Sequence, residues 1–313
     1  METSKITSCL AIPTYNREEV LIHTLQSAFA LEPKPDEILV IDQTPSHEPE
    51  TTAFLQAARG QDRIRWVQHS PPSLTAARNR AIAETTRGVI IFIDDDVELP
   101  RGFVARHLVN YQDEKVAAVA GGVSQDKMPR LSKAFGGHWP RIQDYKYLSV
   151  FADKREEGIA NFMGCNHSAR VEVLRGLGGY DTHYIGSALR EDSDMAIRIW
   201  KSGGLIVFDP EARLHHLAAP TGGCRINSLR KANPEWWVGF NRNYFAFRHF
   251  FPTLEFWWLT LFKDQRESVL RKANLRRPWV IPWALLSYGY SVLKAGAMVL
   301  RGWRNEITDL NRA

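Results

Sequence analysis

A chain of 313 residues can bury one large core, or a core with an appended module. Its 44% hydrophobic and 24% charged composition excludes wholesale disorder. The net charge of +5 is uneven: residues 225–313 hold 15 Lys and Arg against 6 Asp and Glu, with seven of the ten Trp, so a basic, aromatic tail follows a mildly acidic body.

Residues 6–12 (ITSCLAI) are a short apolar run that Pro13 should end, as for a buried strand. Residues 18–30 carry a helical apolar stripe through Val20, Leu21, Leu25, Ala28 and Phe29. A second strand at 37–41 ends on Asp42, a helix follows at 50–59, and a third strand lies at 64–67. Residues 73–86 read as a helix with Ala76, Ala77, Ala81 and Ile82 inward, and 89–93 (VIIFI) as a strand running into Asp94. Strands alternating with helices imply an α/β fold, a mostly parallel central sheet covered on both faces. Ligands of such sheets bind beyond the carboxyl ends of the strands. Three of those ends carry Pro13, Thr14, Tyr15 and Asn16, then Asp42 and Gln43, then Asp94, Asp95 and Asp96, and all should open onto one crevice.

Three consecutive carboxylates repel one another unless positive charge sits among them. A hard divalent cation, Mg²⁺ or Mn²⁺, would resolve the conflict and would also bridge to phosphates. Alternation sends Asp94 and Asp96 to one side, toward the ligand, and Asp95 to a supporting position on the other. The structural alternative is a solvated acidic turn.

Further along, 117–122 reads as a strand ending in glycines, where a backbone can approach a ligand closely. Residues 127–160 are irregular, 162–170 return to the sheet, and 177–181 form a turn. A helix at 190–203 begins with Glu191 and Asp192 in its first turn, where acidic groups also complement the helix dipole. Strands are expected at 205–208 and 211–216. Of the adjacent His215 and His216, only one can face the site from an extended segment. Cys9, Cys165 and Cys224 are far apart and imply neither disulfides nor a zinc site, and the N-terminus has no secretory pattern, so a cytosolic face is expected.

The segments IPTYNRE at 12–18, VID at 40–42, ARN at 77–79, FIDDDVELP at 92–100 and EDSDMAIRIWKSG at 191–203 together resemble glycosyltransferase family 2. The resemblance implies a GT-A fold and inverting sugar transfer from a UDP-, GDP- or dTDP-linked donor to a hydroxyl-bearing glycan or lipid. It implies that Pro13, Thr14, Tyr15 and Asn16 cradle the nucleotide, that Asp42 reaches the base, and that Arg78 approaches the donor with Asn79. A guanidinium there would suit a diphosphate. Asp94 and Asp96 match the Asp-x-Asp pair, the first at the ribose and the second on the metal. Gly164 and Asn166 match a segment beside the donor sugar, and 127–160 matches the variable region that shapes acceptor recognition. Asp192 matches the general base, with Glu191 orienting the site or the acceptor. His216, favoured over His215, completes the metal shell, and a loop of Thr221, Gly222 and Gly223 with Arg225 closes over the donor. Gln43 departs from the second Asp common in the family, which leaves the nucleotide open.

The expected organisation is a catalytic body over 1–224, with a donor half (1–100) and an acceptor half (101–224), then a helical region over 225–313. Residues 279–300 hold one charge, Lys294, between basic flanks, yet Pro282, Ser287, Gly289, Ser291 and two Tyr make them poorly suited to span a bilayer. An interfacial arrangement on an anionic membrane over 240–304 is expected, placing the protein on the inner face, with a soluble helical cap as the alternative. Nucleic acid is not an expected partner. The competing functional reading is a non-catalytic nucleotide-sugar-binding or nucleotidyltransferase-like protein using the same crevice.

Overall fold

Strand β1 (Ser8–Thr14) is buried at every position and runs through Pro13 instead of ending there. Thr14 O accepts Gln43 N on the side of the neighbouring strand β2 (Glu37–Asp42). Alternation therefore turns the Pro13 nitrogen toward the opposite neighbour, β4 (Val89–Ile93), whose pairing with β1 ends at Ala11 and Phe92. The missing donor falls where no partner waits, so the proline costs no ladder bond.

These strands belong to a computed structural model that describes residues 6–126, 154–223, 236–254, 257, 264–270 and 272–301. Among them, nine strands form one sheet in the order β3 (Arg65–Gln68), β2, β1, β4, β8 (Asn166–Arg170), β6 (Val116–Ser124), β9 (Leu205–His216) and β5 (Val97–Glu98), with β7 (Glu156–Glu157) also paired to β9. Strand β3 (Arg65–Gln68), β2, β1 and β4 are mutually parallel. Strand β8 (Asn166–Arg170) is antiparallel to both β4 and β6 (Val116–Ser124). The sheet is therefore mostly parallel, as the alternation of elements predicts.

Helices α1 (Glu19–Phe29), α2 (Pro49–Gly60) and α3 (Leu74–Glu84) follow β1, β2 and β3. Helix α3 starts one residue later than expected because Ser73 is its cap, its hydroxyl accepting Ala76 N. The short helices α4 (Phe103–Leu108) and α5 (Val171–Gly176) carry no long periodic pattern, and neither they nor the two-residue strand β5 (Val97–Glu98) is predicted. Helix α6 (Glu191–Lys201) leads into β9 (Leu205–His216). The break expected at 209–210 within β9 is a bulge: Gly121 pairs with Asp209, but Val123 pairs with Leu214.

The core is continuous, with Leu10, Ile12, Leu39, Ile41, Ile91, Phe92, Val119 and Phe208 fully buried on its strands. The chain divides into two compact units, one of Met1–Thr182, Glu191–Cys224 and Glu306–Ala313, the other of His183–Arg190 and Arg225–Asn305. In the second unit, α7 (Trp236–Phe250) packs on a terminal helix, Ile281–Leu300. Of the segment 127–160 expected to shape acceptor recognition, residues 127–153 lie outside the described residues, as do Cys224 and Arg225.

Candidate active site

The three carboxylates after β4 are sorted as alternation predicts. Asp95 turns away from Asp94 and Asp96: its Oδ2 accepts the Thr14 hydroxyl at 2.8 Å and its Oδ1 the Arg17 Nε at 3.1 Å. From α1, Thr24 fixes the same turn, its hydroxyl lying 3.0 Å from Asp95 O and accepting Val97 N at 3.1 Å. On the other side, Asp96 Oδ1 lies 3.3 Å and Asp94 Oδ2 3.8 Å from His216 Nε2. Strand pairing explains this meeting, because β5 runs antiparallel to β9 with Val97 opposite His216. His215 faces elsewhere, 3.2 Å from the Ser124 hydroxyl.

Asp94, Asp96 and His216 each offer one ligand atom, and those atoms lie within 4.8 Å of one another. Two carboxylate oxygens and one imidazole nitrogen form a donor set that could hold a divalent metal ion. The residues therefore fit the expected cation.

A residue not singled out in the sequence supplies part of the neutralisation. Arg17 is buried and reaches Asp95, Asp96 (3.1 Å) and the carbonyl of Thr221. The loop after β9 is held to the same cluster, with Ala219 N on Asp96 Oδ2 (2.9 Å) and Gly223 N on Tyr15 O (2.7 Å). Gly222, at φ +78°, is required here, because a Cβ would collide with Asn16 O. The carboxylates respond differently. Burial raises Asp94, helped by Asp96, and raises Asp95 to about 7 against the pull of Arg17. Burial acts on Asp96 too, but the His216 hydrogen bond, His216, Arg17 and the Ala219 N–H together hold it below the ordinary carboxylate value.

Arg78 does not lie free to grip a diphosphate. It is 1% exposed, paired with Glu191, and donates to Gly164 O at 3.1 Å. Its guanidinium lies 5.2 Å from the Tyr180 ring centroid and 5.8 Å from that of Phe92. Burial raises Glu191 to about 8 despite Arg78. Among the described residues, Arg78 Nε and Glu191 Oε2 have no hydrogen-bond partner. The adjacent Asn79 is also structural, exchanging hydrogen bonds with the Tyr180 backbone at 2.8 and 2.7 Å.

Next to this pair, Asp192 Oδ2 accepts Gly164 N at 3.0 Å and Oδ1 accepts Ser193 N at 2.7 Å, while the residue stays partly exposed. Gly164 thus joins Arg78 to Asp192, and a Cβ on it would lie 2.7 Å from Arg78 Nη2. Buried Cys165 is pushed up by burial first, and then by Asp94, Asp96 and Asp192.

Two expected site residues are placed differently. Asp42 is fully buried with its carboxylate occupied: Oδ1 accepts Thr44 N, and Oδ2 meets His47 Nε2 (2.9 Å), Trp66 Nε1 (2.9 Å) and Gln68 Nε2 (2.8 Å). Asn166 is also fully buried, donating to Gly122 O and Ala212 O and lying 3.0 Å from His107 Nε2. It ties β8 to β6, β9 and α4. Gly121 and Gly122, expected beside a ligand, instead make room for Asn166, Ala212 and Pro210. Pro13 is buried in the sheet, Thr14 holds Asp95, Tyr15 is half-buried, and Asn16 is exposed at φ +51°.

Residues 9–178 match the sequence profile of glycosyl transferase family 2. The chain belongs to that family. The succinoglycan biosynthesis protein ExoM of Rhizobium meliloti (strain 1021) is 29% identical over 210 residues, covering 66% of this chain and 65% of its own length. The probable glycosyltransferase YdaM of Bacillus subtilis (strain 168) is 26% identical over 210 residues, covering 64% of this chain and 48% of its own length. The chain therefore spans less than two thirds of either relative. Among solved structures, a mannosyltransferase, PcManGT from Pyrobaculum calidifontis in complex with GDP-Man and Mn²⁺, superposes with a TM-score of 0.54 at 18% identity, over 96% of this chain and 80% of its own. S. aureus TarS 1–349 superposes with a TM-score of 0.58 at 10% identity, over 95% of this chain and 92% of its own. The fold is GT-A.

Proposed function

We propose that this glycosyl transferase family 2 member transfers a sugar, with inversion and with a divalent metal, from a nucleoside-diphosphate sugar to a hydroxyl of a glycan or lipid-linked acceptor. One observation carries the reading: a ligand atom from each of Asp94, Asp96 and His216 lies within 4.8 Å of the others. The further carboxylate of Asp192, held by Gly164 N and Ser193 N, favours catalysis over binding of a nucleotide sugar alone. The GDP-Man and Mn²⁺ of the mannosyltransferase neighbour support the donor class.

Asp94, Asp96 and His216 would hold the cation, which when bound offsets negative charge on a diphosphate leaving group. Asp192 is the general base. Its carboxylate is oriented by Gly164 N and Ser193 N and keeps lone pairs for an acceptor hydroxyl. The acceptor oxygen bonds to the anomeric carbon, the bond from that carbon to the diphosphate breaks, and the hydroxyl proton passes to Asp192. Arg78 acts indirectly, by fixing Glu191 and the Gly164 carbonyl, both next to the base. Thr14, Tyr15 and Asn16 border the donor side. Asp42 could reach a base only by releasing one of its present donors. A lipid-linked acceptor would bring the protein to the inner face of a membrane. Among the described residues, no helix is long and apolar enough to cross one.

A panel of UDP-, GDP- and dTDP-sugars with Mn²⁺ or Mg²⁺ tests the reading. Release of the nucleotide from one donor, loss of that activity with a chelator and recovery on adding metal are expected, with NMR showing an inverted anomer. Silence across the panel would sink the proposal.

A further inference from the structure

The terminal helix, Ile281–Leu300, is apolar on the wrong side. Its buried positions are small or polar: Ala284, Tyr288, Ser291 and Ala295. They pack toward α7, where Asn243 Nδ2 donates to Ser291 Oγ at 3.2 Å and Tyr288 donates to Asn243 Oδ1 at 3.3 Å. Its large apolar residues point outward. Trp283 is 73% exposed, Leu286 66%, Tyr290 54%, Leu293 76% and Leu300 89%, with Trp279 at 70% just before the helix. Steps of four and three residues align these side chains in one stripe, about 30 Å long at 1.5 Å per residue. Exposed apolar area on the order of 800 Å² exceeds the roughly 300–600 Å² of the largest patch on a typical monomer.

Charge identifies what covers it. Between residues 268 and 305 the chain has no Asp or Glu, whereas Arg276 and Arg277 stand exposed before the helix and Arg301 after it. The lone helix cation, Lys294, lies 5.8 Å from the Phe240 ring centroid. A second copy of the helix, parallel or antiparallel, would bring arginine ends against arginine ends with no acid between them. Coiled coils fix register with charges beside the apolar seam, and these are missing here. A surface that is apolar within and anionic at its border satisfies both halves of the pattern.

We propose that this stripe lies in the headgroup region of an anionic bilayer, parallel to its plane. Leu286, Leu293 and Leu300 enter the acyl boundary, Trp279, Trp283 and Tyr290 sit at headgroup level, and Arg276, Arg277 and Arg301 meet lipid phosphates. The inference goes beyond the sugar-transfer reading, because membrane binding is measured without donor or metal.

Full-length protein is mixed with vesicles of phosphatidylcholine alone, or of phosphatidylcholine with phosphatidylglycerol, and floated on a density gradient. Flotation with the anionic vesicles, weakening as salt rises, is expected. The Leu286→Glu/Leu293→Glu variant should partition at least about tenfold less. Arg276→Gln/Arg277→Gln/Arg301→Gln should lose about fivefold per arginine, roughly a hundredfold in all, from anionic vesicles only. Near-UV circular dichroism and the thermal midpoint establish that each variant is folded, and all three positions of the arginine variant are already solvent-exposed. Wild-type protein that stays at the bottom of the gradient with anionic vesicles would overturn the proposal. So would a wild-type dimer that the leucine variant splits while flotation is unchanged.

Discussion

The Arg78–Glu191 pair allows a quantitative test. Both side chains are at least 95% buried. Removing one partner strands the other in a low-dielectric site, a change that typically costs about 3–5 kcal/mol. Arg78→Met keeps much of the packing between Phe92 and Tyr180 but leaves Glu191 alone. Burial already raises Glu191 against the pull of Arg78, and losing that pull would raise it further. Glu191→Met leaves a buried guanidinium with only the Gly164 carbonyl. The double variant Arg78→Met/Glu191→Met removes both charges, together with Arg78 Nε and Glu191 Oε2, two atoms with no hydrogen-bond partner among the described residues. Replacing a whole buried pair with apolar groups is often neutral. Each single variant should therefore lose about 3–5 kcal/mol by urea unfolding, a fall in Tm of roughly 10 °C, while the double variant should recover at least half of the larger loss. The coupling should exceed about 2 kcal/mol. Losses that simply add in the double variant would refute the claim that the two charges exist for each other.

The remaining predictions concern the site and the core around it. Asp192→Asn should lower kcat by about 10²–10⁴ with little change in donor KM; full turnover would remove this residue as the base. Asp96→Ala and His216→Ala should each weaken Mn²⁺ binding by at least about tenfold, read by calorimetry without substrate, whereas His215→Ala should leave it unchanged. Arg17→Gln strands buried Asp95 and should cost about 3–5 kcal/mol in urea unfolding. His107 is fully buried and burial lowers it to about 4, so between pH 6.5 and 4 the unfolded chain binds more protons than the folded one. Its contribution is complete above the unfolded value and is lost as pH falls toward 4, up to about 3 kcal/mol. His107→Gln should flatten that part of the stability–pH curve.

The sequence made the local features of this fold legible. Runs such as VIIFI at 89–93 and ILVI at 38–41 are apolar throughout because both faces of their strands are covered, and this pattern requires no tertiary knowledge. The split of Asp94 and Asp96 from Asp95 follows from strand alternation alone. What could not be read depends on which strands lie side by side. The resemblance named His216, but its reach to Asp96 rests on β9 pairing with β5, a two-residue strand too short to leave a pattern of its own. Arg17 stands within a recognisable segment, yet only the fold shows that its guanidinium spans Asp95, Asp96 and the loop at Thr221, residues about 80 and 200 positions away in sequence.

The same reasoning accounts for Arg78 and Asn166. Sequence gives residue type and order, but burial decides whether a polar group faces a ligand or another protein group, and burial is set by long-range packing. A positive residue near a donor site suggests a phosphate contact, yet a carboxylate 113 positions later in the chain has already taken this one. The consequence for the site is specific. With Arg78 committed to Glu191 and Arg17 committed to Asp95 and Asp96, neither buried arginine is free to counter a departing diphosphate. In the proposed mechanism that task would fall to a cation held by Asp94, Asp96 and His216, which makes dependence on a divalent metal the step most exposed to disproof.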